Sequence, residues 1–165
     1  MTDQITKERT CVIGIGNEYR NDDGIGLLVA RRIREQRIPG IAVLELSGEG
    51  GGLMSAWNSA HTVILVDAVS SGARCGTTYR IDARRQTIPS DFFHYSTHAF
   101  SVAESIELAK VIGKLPEHCV LFGIEGKDFG MGMTVSQAVQ DAADQVVELI
   151  RNEIDCAKSN RIPVV

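Results

Sequence analysis

Residues 11–26 read CVIGIGNEYRNDDGIG, and the fold follows from how that stretch divides. Cys11–Ile15 is a short apolar run of the kind that forms a buried strand. Gly14 and Gly16 stand at its end, where a backbone must turn or let another segment approach closely. Residues 17–21 are polar and without period, and Asp22 and Asp23 precede an amphipathic run beginning at Ile25, which makes them N-cap or first-turn residues of a helix. Two carboxylates therefore hang over the carboxyl end of a strand, where α/β proteins gather their ligands. One Asp is enough to satisfy a helix N-terminus and complement its dipole, so the second is surplus to capping.

Downstream, Ile25, Leu28, Val29 and Ile33 follow the spacing of a helix packed on one face, ending near Pro39-Gly40. A strand over 41–46 comes next. The segment SGEGGGLMSAW (residues 47–57) then predicts a loop through Gly48, Glu49 and Gly50, able to receive an extended peptide or an anion against bare backbone, before a short helix over 53–59. The run HTVILVDAV (61–69) is the clearest buried strand. A lone buried carboxylate is costly unless paired or ligated, so Asp67 is expected to emerge at the same rim as Asp23. Residues 77–81 read as a weaker strand suited to an antiparallel edge.

In HYSTHAFSVAESIELAKVIG (94–113) the apolar spacing predicts a helix capped by Ser96 or Thr97. That puts His98 in its first turn, where the helix N-terminus favours a neutral imidazole. His61, His94 and His118 read as structural or exposed. Residues 118–124 form a further buried strand, EGKDFGMGM (125–133) a polar loop, and residues from about 134 to 154 a last helix. The domain is expected over 1–155, with 156–165 a loose tail.

With 165 residues, 44% of them hydrophobic and 23% charged, the chain suits one globular domain. Strand–helix alternation predicts an α/β fold, a three-layer α/β/α sandwich with about five mostly parallel strands and helices on both faces. A net charge of −4 provides no positive field for a nucleic-acid backbone. Arg31, Arg32, Arg34 and Arg37 read as the solvated face of the first helix. Four scattered cysteines exclude a C-x-x-C zinc site, an opening MTDQITKERT has no apolar signal core, and no stretch reaches bilayer length. A cytoplasmic protein without a membrane partner is expected.

Asp23, Asp67 and His98 thus come from three βα loops to one rim, and such a donor set suits a divalent transition metal while leaving coordination positions open. The chain resembles the [NiFe]-hydrogenase maturation endopeptidases through GIGNEYRNDDGIG (14–26), ILVDAV (64–69), STHAFSV (96–102) and FGIEG (122–126), in the family's order. The resemblance implies a protease that removes the C-terminal extension of a hydrogenase large-subunit precursor after nickel insertion. It implies that Asp23, Asp67 and His98 are the metal-binding and catalytic residues, and that Asn17 and Asp22 support those ligands or shape the loop. The nickel would belong to the precursor, with no tightly bound cofactor of the enzyme's own.

Two mechanisms stay open. Nickel serves as Lewis acid and water activator, or it only positions the bond and a carboxylate acts as general base, the aspartyl-type alternative. After the second strand the family often carries an Asp-Gly-x-Thr type sequence, where this chain has Leu46-Ser47-Gly48-Glu49-Gly50. The departure bears on which hydrogenase subclass is processed. A nucleotide-binding module is the competing class, but Tyr19 stands where the dinucleotide fingerprint needs a glycine. A non-catalytic interaction domain is the third.

Overall fold

The computed structural model describes residues 10–47, 50–93 and 101–159. Strand β1 (Thr10–Ile15) leads through a 3-10 turn (Asn21–Gly24) into α1 (Ile25–Glu35). Then come β2 (Ile41–Leu46), α2 (Gly50–Trp57), β3 (Thr62–Val69), β4 (Thr78–Asp82), a 3-10 turn (Ser90–Phe93), α3 (Val102–Val111), β5 (His118–Glu125) and α4 (Gln137–Ser159).

The sheet order is β2-β1-β3-β5-β4, parallel except for β4, which runs antiparallel along β5. Alternation along each strand divides the core. Ile13, Leu65 and Leu121 pack with α2 and α3 on one face, and Val12, Ile64 and Phe122 pack with α1 and α4 on the other. This is the expected three-layer α/β sandwich. The chain leaves β1 toward β2 and returns on the opposite side as β3, so the strand order reverses between β1 and β3. A crevice at the carboxyl ends of these two strands is the ligand position that such topology creates.

Several boundaries differ from expectation. Asp22 and Asp23 do not cap α1: its N-cap is Gly24, which makes no side-chain cap bond, and the acids occupy the 3-10 turn before it. Helix α2 starts at Gly50, so Gly50 is helical rather than part of a loop leading to residue 53. Helix α3 starts at Val102, where Ser101 and Glu104 form a reciprocal capping box; the expected caps Ser96 and Thr97 lie outside the described residues. Helix α4 continues through Ser159 with Ile154 buried, so residues 156–159 extend the domain instead of belonging to a tail. The arginines of α1 are engaged as well as solvated: Arg31 and Arg34 pair with Glu45, and Arg32 with Asp144.

Candidate active site

The loop after β1 turns back over its own strand. Gly16 has φ +151°, and a Cβ there would lie 1.9 Å from the Asp23 carbonyl oxygen. Gly26 lets α1 press onto the sheet, since its Cβ would meet the carbonyl oxygens of Ile15 at 2.2 Å and Val66 at 2.5 Å. Asn17 closes the loop, its Oδ1 accepting from Tyr19 N–H at 2.9 Å and its own N–H donating to Asp23 Oδ2 at 3.0 Å. The Asp23 carboxylate is thereby fixed over the end of β1.

Asp22 faces the other way and is fully buried. Its Oδ2 accepts from Lys127 N–H (2.8 Å), Asp128 N–H (2.9 Å) and Ser136 Oγ (2.9 Å), and its Oδ1 from Ser136 N–H (2.6 Å). Burial alone would push this carboxyl up; the donors of Asp128, Ser136 and Lys127 together outweigh it and hold the group below its ordinary value. Asn21 adds to the junction, donating to Asp128 Oδ2 at 3.1 Å and accepting from Thr134 N–H at 3.1 Å. The β5–α4 loop is thus bound to the loop that carries Asp23.

Asp67 lies within β3, not at its end. Because β3 stays paired with β5 as far as Val69 opposite Glu125, the strand continues past the acid, and Asp67 is 7% exposed instead of emerging at the rim. Pairing with β1 ends one residue earlier, at Gly14 opposite Val66, so Asp67 sits where the crevice opens. Burial, and then the charge of Asp23, push its carboxyl well above the ordinary carboxylate range, against a hydrogen bond from Ala68 N–H. Two acids remote in sequence therefore act on each other here. A like charge nearby disfavours ionisation of its neighbour. By alternation Asp67 has the parity of Val63 and Leu65, on the face covered by α2 and α3.

His98 lies outside the described residues, as do Gly48 and Glu49 of the expected substrate loop.

Glu125 ends β5 as an acid, the pattern that drew attention to Asp67, and sequence reasoning assigned it no role. It is 2% exposed and accepts from Ser71 N–H (2.9 and 3.1 Å), Ser71 Oγ (2.8 Å) and Gly72 N–H (3.0 Å), holding the β3–β4 loop beside the crevice.

The family profile for HycI, hydrogenase maturation protease, matches residues 28–153. The chain belongs to this family. The matched span contains Asp67 and His98 and begins after the loop that bears Asp23. The hydrogenase 2 maturation protease of Escherichia coli K12 is 25% identical over 87% of this chain and 91% of its own. The [NiFe] hydrogenase maturation protease HycI of Thermococcus kodakarensis superposes with a TM-score of 0.64 at 26% identity, over 88% of this chain and 92% of that one. The maturating endopeptidase HybD of E. coli shares the fold, with a TM-score of 0.70 at 21% identity over 88% and 93% of the two chains. This maturation protease is accordingly an endopeptidase acting in hydrogenase large-subunit processing. Among the described residues no helix is long and apolar enough to cross a membrane.

Proposed function

We propose that this protease removes the C-terminal extension of a [NiFe]-hydrogenase large-subunit precursor once nickel is in place, and that Asp23, Asp67 and His98 engage that nickel. One observation carries the reading: the Asp67 carboxyl is buried and opposed by the charge of Asp23 at the β1/β3 crevice. A cation brought in by the substrate would offset both charges, and the oxygen donors suit a divalent ion. The enzyme then needs no resident metal, and an unloaded precursor offers nothing to relieve the acid pair.

In this scheme the Asn17 N–H and the Asp22 junction orient Asp23, and Gly48, Glu49 and Gly50 contact the peptide. Peptide hydrolysis at neutral pH needs a polarised carbonyl, an activated water and a protonated leaving amine. Asp67, held toward its protonated form by burial and by Asp23 until the cation arrives, gives up that proton as both carboxylates turn to the ion. A cytoplasmic location fits the four scattered cysteines, none of which belongs to a C-x-x-C pair.

The test is cleavage of nickel-loaded and nickel-free precursor by purified wild type, Asp67→Asn and His98→Ala. Wild type should process only the loaded form, and each variant should be slower by at least about 10²-fold, the usual scale for a lost acid–base group. Wild-type rates in both variants would remove these residues from the mechanism.

A further inference from the structure

A second group of ligating side chains lies at the opposite end of the sheet. His61 precedes β3 and His118 opens β5, and these parallel neighbours pair with Thr62 opposite His118. The His118 N–H donates to the His61 carbonyl oxygen at 3.1 Å, adding one rung below the ladder. The two imidazoles consequently stand side by side, ring centroids 5.3 Å apart and tilted by 57°. Glu117 adds a carboxylate, its Oε2 2.5 Å from His61 Nε2. One donor atom from each of the three lies within 4.8 Å of the others.

Donors bound to one tetrahedral ion at ~2.0–2.2 Å stand about 3.3 Å apart, so modest side-chain rotation closes this set around a cation. An ion pair between His61 and Glu117 would account for two of the groups. It does not account for a second imidazole held in the same cluster by the strand register. Two imidazoles and a carboxylate are the donors of open zinc-type sites, and the same set accepts nickel, cobalt and copper. A cavity of about 420 Å³ opens beside them, lined also by Arg80, Glu153 and Cys156, and gives an ion a way in. His61 is half-buried while Glu117 and His118 are exposed, so water would complete the coordination.

We propose that His61, Glu117 and His118 form a divalent transition-metal site distinct from the Asp23/Asp67 crevice. Asp67 lies six residues further along β3 than His61, about 20 Å at ~3.3 Å per residue, too far for one ion to serve both. An ion here ties the starts of β3 and β5 together and stabilises the fold by mass action.

The experiment uses the full-length, tag-free chain stripped with EDTA and titrated calorimetrically with Zn²⁺, together with thermal unfolding at each metal concentration. The expected result is a Zn²⁺ site retained by Asp67→Asn and weakened at least tenfold in Glu117→Gln, in His118→Gln and in the His61→Ala/His118→Ala double variant. The rise in Tm with Zn²⁺ should disappear in the double variant. Glu117 and His118 are exposed, so those single variants fold, and circular dichroism checks the double one. Three results would each overturn the proposal: no Zn²⁺ binding by wild type, unchanged binding in the double variant, or binding abolished by Asp67→Asn alone.

Discussion

Asp22→Asn should cost about 3–4 kcal/mol of stability while changing the carboxylate by a single atom. The native group receives four hydrogen bonds, three on Oδ2 and one on Oδ1. Every one comes from a donor, and bonds to a charged acceptor contribute about 1.5–3 kcal/mol each. An asparagine keeps one accepting oxygen. If that oxygen takes the Oδ2 position, the new NH₂ group faces Ser136 N–H, so one bond is lost, two donors oppose each other in a buried site, and the remaining three bonds lose their charge assistance. The sum is a large share of the ~5–15 kcal/mol that holds a domain of ordinary stability.

Urea unfolding measures the total, and hydrogen exchange at the amides of Lys127, Asp128 and Ser136 localises it. Ser136→Ala removes only the hydroxyl bond to the charged carboxylate and should cost about 1.5–3 kcal/mol. Because the native carboxyl sits below its ordinary value of 3.8, its contribution is complete above that pH and is lost as pH falls through the folded value. The asparagine variant should lack that component of acid sensitivity. A change under about 0.5 kcal/mol, with exchange at the three amides unaltered, would refute the assignment of Asp22 as the joint between the two loops.

The acid pair predicts the opposite sign at Asp67: its raised carboxyl keeps the folded state fully stable below the ordinary value of 3.8 and less so as pH rises toward the folded one. Asp67→Asn should therefore gain about 1–2 kcal/mol at neutral pH while losing activity, and a loss of stability in urea would contradict the account. Glu45 is pushed up by burial but pulled further down by Arg34 and Arg31, so its support is present above its ordinary 4.5 and lost as pH falls below it. Glu45→Gln should cost at most about 1 kcal/mol at pH 7 and progressively less as pH falls below 4.5, read from paired melting curves. The Cys119 thiol is pushed up to about 12 by burial, whereas Cys156 is exposed. Iodoacetamide followed by mass spectrometry should mark Cys156 in the native protein and Cys119 only in denaturant. Gly26→Ala places a Cβ 2.2 Å from the Ile15 carbonyl oxygen and should lower stability by about 2–3 kcal/mol by lifting α1 from the sheet; an unchanged Tm would show that α1 can shift freely.

What could be read from the chain depended on range. The runs at 11–15, 41–46, 61–69 and 118–124 carry their strand character in their own composition, and Thr78–Asp82, less apolar, behaves as the antiparallel edge that its composition suits. Helix ends were less legible because caps compete: Ser96, Thr97 and Ser101 are all capable, and only Ser101 has a glutamate three residues on to complete the box. The surplus acid beside Asp23 was a real signal, yet its partners, Lys127 to Ser136, lie more than a hundred residues away and leave no local periodicity. His61 and His118 looked unrelated for the same reason. Their proximity arises from the adjacency and register of β3 and β5, which no single segment encodes.

That adjacency also governs the order in which the protein can be assembled. Among the described residues the last strand to be synthesised is an inner one: β5 inserts between β3 and β4, and β4 has no other neighbour in the sheet. Until residues 118–125 leave the ribosome, the apolar run Thr62–Val69 keeps one ladder edge unpaired, the kind of edge that recruits foreign strands. A nascent chain stalled in α3 would be the species most exposed to aggregation and most in need of a chaperone.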